Sequence, residues 1–132
     1  GANVLDDYEE GTDTVTLASA SGTAGLDAGY NEIGYTKIGR AVHIQGHLYN
    51  TTDSSADGVL TITGLPFTSV GELTDKADTA SIFVQVIGGA SGDGFYRGDI
   101  STGSTTLTID AYDAENLDTS TSIYLTGTYF TD

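Results

Sequence analysis

Apolar residues along this chain recur mostly at every second position, the period of a strand with one face against a core. The clearest case is 40–49, where Val42, Ile44, Gly46 and Leu48 share one face and His43, Gln45, His47 and Tyr49 share the other. The last such run, 122–130, alternates Ile123, Leu125, Gly127 and Tyr129 with Tyr124, Thr126, Thr128 and Phe130. Both of its faces carry apolar weight, so this strand is expected to be covered on both sides, the second cover being a neighbouring subunit. Further strands are expected at 12–17, 33–38, 59–63, 81–87, 95–100 and 105–112. Gly39, between 33–38 and 40–49, reads as a hairpin turn. The small and polar stretches 19–29 and 51–58 read as a loop and a turn region, and 88–94, with its four glycines, as another loop. About eight short strands with glycine-rich turns predict an all-β fold, an antiparallel β-sandwich of jelly-roll type.

Composition changes the picture in two ways. The 132 residues suffice for one domain, yet Val, Ile, Leu and Phe supply only 30 of them, against 64 Gly, Thr, Ser and Asp. Lys and Arg number 4 and Asp and Glu 19, giving a net charge of -15. A thin core under strong self-repulsion predicts that stability also comes from assembly with copies of the chain, with bound cations a second source. The same charge argues against nucleic acid, which demands clustered cations, and against an anionic membrane surface. No cysteine is present, which removes disulfides, thiol catalysis and thiolate metal sites. No apolar run approaches the roughly 20 residues of a membrane-spanning helix, and no signal-peptide pattern opens the chain. The chain starts at Gly1 and has no methionine, so it reads as a piece of a longer product: an acidic lead-in over 1–11, then a head domain over 12–132.

Candidate chemistry is sparse. His43 and His47 sit four residues apart on a strand, about 13 Å from each other, too far to share one metal ion. With Gln45 and Tyr49 they form a polar, aromatic-rich face that suits a subunit interface or a ligand surface, and the four are assigned to the interface. Asp53, Asp57, Asp110, Asp113, Glu115 and Asp118 offer hard oxygens of the kind Ca²⁺ takes, but without EF-hand spacing, and aspartate also builds turns. No cofactor is required, Ca²⁺ is possible, and a metal site is left open. Among 19 acids some pair always matches the spacing of a glycosidase, so that pattern carries little weight. No G-x-S-x-G elbow occurs, and 88–94 lacks the Lys-Ser/Thr ending of a phosphate cradle. The chain therefore reads as a non-enzyme. Phe95, Tyr96 and Arg97, with Asp110, Tyr112 and Asp113, are the expected ligand-binding residues: an aromatic ring under a sugar and polar groups at its hydroxyls. Tyr30 and Tyr35 add further rings. The sequon Asn50-Thr51-Thr52 is given no weight.

Two stretches resemble a known family. Tyr35-Thr36-Lys37-Ile38-Gly39-Arg40-Ala41-Val42-His43-Ile44-Gln45-Gly46, and then Leu60-Thr61-Ile62-Thr63-Gly64-Leu65-Pro66-Phe67-Thr68, look like the carboxy-terminal domain of bacteriophage tail-fibre and related virion proteins. Leu5-Asp6-Asp7-Tyr8-Glu9-Glu10-Gly11-Thr12 resembles the point where such a domain follows a fibre stem, and 122–129 resembles its last strand. Family members usually carry Trp-Thr-Pro after Glu-Glu-Gly-Thr. Here Asp13-Thr14-Val15 stands instead, which touches the packing of the first strand. The resemblance implies a β-sandwich head, assembled as a homotrimer at a fibre tip on the virion, outside the cell. Its partners would be other virion fibre proteins and a host glycan or outer-membrane receptor, with no membrane insertion. No catalytic residue carries over. The alternatives are a structural virion module (head fibre, decoration or trimerisation cap) and a carbohydrate-binding module of a secreted enzyme.

Overall fold

The alternation in the sequence becomes antiparallel strands in the computed structural model, which describes residues 7–71 and 80–132. These are β1 (Tyr8–Thr14), β2 (Thr16–Leu26), β3 (Glu32–Ile38), β4 (Ala41–Thr63), β5 (Ala80–Ile87), β6 (Gly94–Ile100), β7 (Thr106–Asp113) and β8 (Ser122–Phe130). A 3₁₀ turn, Ala114–Asn116, leads from β7 towards β8. The all-β expectation and the count of strands hold. The first strand starts at Tyr8, inside the acidic lead-in, of which residues 1–6 lie outside the described residues.

The sandwich is corrected to a barrel. Strands β4, β7, β6, β5 and β8 pair in that order, and β8 pairs back onto β4, so five strands close a ring. β3 and then β1 extend the sheet from the start of β4, and β2 lies along its later part. Two expectations fail together here. Of the stretches 19–29 and 51–58, only 27–29 is the expected turn; the rest is strand, with Thr23 opposite Ser54, Ala24 opposite Asp53 and Gly25 opposite Thr52. Their side chains are largely solvent-exposed, so the apolar pattern is blank, while the backbone still needs partners and finds them across the pair. β4 consequently runs 23 residues. Positive φ at Ser55 (54°) and Gly58 (81°), with register shifts in β2 opposite, mark the bulges that bend it. One bent strand thereby serves β3 and β8 at its start and β2 and β7 at its end, which joins what a sandwich would keep as two sheets. The expected strand 12–17 is also split, by buried Val15, whose N–H donates to the Asn31 carbonyl at 2.8 Å.

Inside the ring the predicted core faces meet: Val42, Ile44 and Leu48 from β4, Ile82, Val84 and Val86 from β5, Ile123, Leu125 and Tyr129 from β8. Two inward glycines make room for larger neighbours. A Cβ on Gly46 would lie 2.9 Å from Ile33 Cγ2, and one on Gly127 would lie 2.8 Å from Ile82 Cδ1. The buried Tyr129 hydroxyl donates to the Phe67 carbonyl at 2.8 Å, and accepts from the Phe67 N–H at 3.2 Å.

Candidate functional site

A strand that sends every second side chain into a barrel sends the others out. Strand register then aligns those outward residues in rows. One row runs Thr12, Gly34, Gln45, Thr126, Phe83, Arg97, Asp110 across β1, β3, β4, β8, β5, β6 and β7. The neighbouring row runs His47, Tyr124, Gln85, Phe95. Side chains two residues apart lie close enough for large rings to touch. His47 stacks on Tyr124 with centroids 4.2 Å apart and planes 13° from parallel, while Tyr30 meets the His47 edge at 5.0 Å. Phe83 and Phe95 rings lie 5.5 Å apart. His43 Nδ1 sits 3.3 Å from Thr128 Oγ1.

Two shallow cavities indent this surface. One, of about 510 Å³, runs along β1, β3 and β4 between Glu10, Thr12, Thr36 and His43. The other, of about 450 Å³, lies between Gln45, His47, Phe83, Tyr124 and Thr126. Gly34 and Gln45 line both, so the two form one groove. Tyr35, paired with Ile44, turns its ring to the core side of β3 against Phe67 at 5.4 Å, where its hydroxyl donates to Glu9 Oε1 at 3.0 Å and that carboxylate raises its pKa above the usual phenol value. The outward faces of β5, β8 and the first half of β4 carry no Asp, Glu, Lys or Arg, in a chain whose net charge is -15.

The residues expected to bind ligand divide between two sides of the sheet. Phe95 is 70% exposed, and Arg97 reaches the Asp110 carboxylate at 3.3 Å on the outer surface. Tyr96 and Tyr112 point inward and meet edge to face at 5.1 Å. A bulge at Ala111, φ 63°, turns the chain so that Tyr112 enters the core, where burial pushes its pKa up to about 12. Asp113 caps the 3₁₀ turn, its Oδ1 accepting N–H bonds from Glu115 and Gly58, which hold its pKa below the usual carboxylate range. His43, Gln45, His47 and Tyr49 do share the outer side, as the alternation predicts.

Of the acids singled out for Ca²⁺, Asp57, Asp113 and Glu115 bring their oxygens within 4.8 Å of one another, all exposed. The others are engaged locally. Asp110 faces Arg97, and Asp53 Oδ1 accepts from the Ala56 N–H at 3.3 Å. Asp118 accepts from the Ser120 N–H first, then from the Ser120 and Thr121 hydroxyls, and its pKa is lowered accordingly. Reading the sequence missed Phe83 and Gly34. Phe83 stands out of phase with Ile82 and Val84, the signal that marks it as outward. Gly34 gives no signal until register sets it beside Gln45.

No family model and no curated protein matches the sequence. Among solved structures, the chain superposes on the Dettilon tailspike protein (gp208) with a TM-score of 0.69. The fold is shared. The match covers 93% of this chain at 16% identity, and 24% of the tailspike chain. This chain therefore corresponds to about a quarter of that protein.

Proposed function

We propose that this chain is a non-enzymatic module of a phage tail fibre or tailspike that attaches the virion to its host, by recognising a cell-surface glycan. The observation that carries this reading is the outer surface of β5, β8 and the first half of β4, where exposed rings stand among amides and hydroxyls without an Asp, Glu, Lys or Arg. Sugars offer apolar C–H faces to rings and hydroxyl edges to amides, so such a surface suits them. The shared fold with part of a tailspike supports a place on the virion. Support for binding rather than cleavage comes from the lining of the two cavities, which among the described residues holds one carboxylate, Glu10, where glycoside hydrolysis uses a pair. The reading needs no resident cofactor. The test is adhesion of the fluorescently labelled chain to a panel of bacterial strains, before and after the cells' surface polysaccharide is stripped. Adhesion lost on stripping is expected; adhesion to none of the strains would reject the reading.

One observation favours a second reading, a homotrimeric structural module. Copies each carrying -15 can approach only through uncharged faces, and the face bearing His43, Gln45, His47 and Tyr49 is one. Deleting this chain's segment from the virion protein separates the two: lost assembly supports the structural role, and normal particles that fail to adsorb support attachment.

A further inference from the structure

Strand glycines normally have a reason, and one of them here has none in the fold. Every other glycine in the described strands either takes a positive φ or would set a Cβ within 3.1 Å of a neighbour. Gly34 does neither. Its φ lies outside the left-handed region, and a Cβ would meet only Gln45, at 3.9 and 4.0 Å. Glycine inside a strand weakens it, through lost chain entropy and lost side-chain packing. The bare position lies on the outer face, where it joins the two cavities into one groove. We infer that this groove is the site for an uncharged oligosaccharide, and that Gly34 is left bare to admit it. The inference rests on the attachment reading and adds its place and its chemical class.

The lining fits that class. Thr12, Thr36 and His43 at one end supply hydroxyls and a ring nitrogen, and the stacked His47–Tyr124 pair with Phe83 at the other presents ring faces and edges. Between them Gln45 and Thr126 supply an amide and a hydroxyl at the height of a sugar's edge. Two adjoining cavities of about 510 and 450 Å³ accommodate several linked sugars rather than one. Charge selects against acidic glycans. No Lys or Arg lines the groove, and the cation one strand beyond Phe83, Arg97, is already faced by Asp110. A uronate or phosphate would find no partner there and would enter the field of a strongly acidic chain. A second copy of the chain is the weaker occupant, because tightly packed protein contacts want a filled surface, not a missing side chain between two hollows.

The experiment uses the purified chain on an array of bacterial polysaccharide fragments, some of neutral hexose and N-acetylhexosamine repeats, some bearing uronate or phosphate. Neutral repeats are expected to bind. Gly34→Val, whose branched side chain suits a strand, and Tyr124→Ala are each expected to weaken binding about tenfold or more, the scale of one lost ring contact with its buried area. The thermal midpoint of Gly34→Val should hold or rise, which separates a blocked groove from a damaged fold. Preference for acidic repeats, binding by neither kind, or binding untouched by Gly34→Val would each overturn the site. So would a wild-type oligomer that Gly34→Val disperses without any sugar being bound. Cell adhesion that survives Gly34→Val sinks the groove while leaving attachment standing. Neutral sugar bound on the array by a chain that adheres to no cell sinks attachment alone.

Discussion

Asn50 shows how much one polar side chain can hold. It is fully buried; its Nδ2 donates to the Asp118 carbonyl at 2.7 Å, and its Oδ1 accepts from the Gly25 N–H at 3.0 Å. Its own N–H donates to the Thr121 carbonyl at 2.8 Å, so one residue joins β2, β4 and the approach to β8. The amide of the sequon is thus consumed by the fold. Asn50→Ala leaves the Gly25 N–H and the Asp118 carbonyl without these partners and is expected to cost about 2 to 4 kcal/mol, as read by urea denaturation. Two buried phenols set the alkaline limit. Burial pushes Tyr112 and Tyr129 up to about 12, from an ordinary value of 10.0. Between those values the unfolded chain has released protons that the folded chain keeps, so ionisation favours unfolding as pH rises. Stability is expected to be intact below pH 10 and to fall by about 2 to 3 kcal/mol per ring by pH 12. Melting curves across that range, followed together with phenolate absorbance, check it. Unfolding without a coincident rise in phenolate would contradict it.

Long strands, not side chains, decide how these residues come together. β3, β5, β6 and β8 are legible in the sequence because each alternates apolar and polar positions against one core. The pairing of 20–25 with 51–57 is not legible, because small residues, exposed but for Ala24, Gly25 and Ala56, leave no apolar trace of a strand. Barrel and sandwich also look alike in the sequence, since inward and outward residues alternate identically in both. The same limit applies to the groove. The outward side of 40–49 is readable, but its neighbours Phe83 and Gly34 depend on register, and Tyr112 is turned inward by a bulge the sequence does not announce. The polar ribbon formed by β2 and β4 carries its own prediction. Gly22 takes φ 71°, and a Cβ there would sit 2.0 Å from the Ser55 carbonyl oxygen. Gly22→Ala forces the ribbon open at Ser55 and Ala56, of which Ala56 reaches the core. Amide exchange over 20–25 and 51–57 is expected to speed up about tenfold or more, while the amides of Val42, Ile44 and Leu48 keep their protection. Protection lost uniformly would mean that ribbon and barrel open as one unit.

At the scale of the molecule, the core is filled from within the chain, by ring residues from Val42 round to Leu107 and Tyr129 and by Leu17 and Ile33 of β2 and β3. What still opposes folding is charge: 19 acids against 4 Lys and Arg on one small body. Repulsion of this kind acts over the screening length, which falls from about 30 Å at 0.01 M salt to about 3 Å at 1 M. Raising NaCl across that range is expected to lift the thermal midpoint by roughly 5 °C, equivalent to ~1 kcal/mol of relieved repulsion. Calcium chloride at matched ionic strength tests whether the acids act only as a diffuse charge. The Asp113 carboxylate is already held by the N–H groups of Gly58 and Glu115, and Asp57 and Glu115 stand exposed beside it. An equal rise in the two salts is therefore expected. A further rise in calcium, abolished by Asp57→Asn, would assign a bound cation to that cluster and make it part of what holds the chain folded.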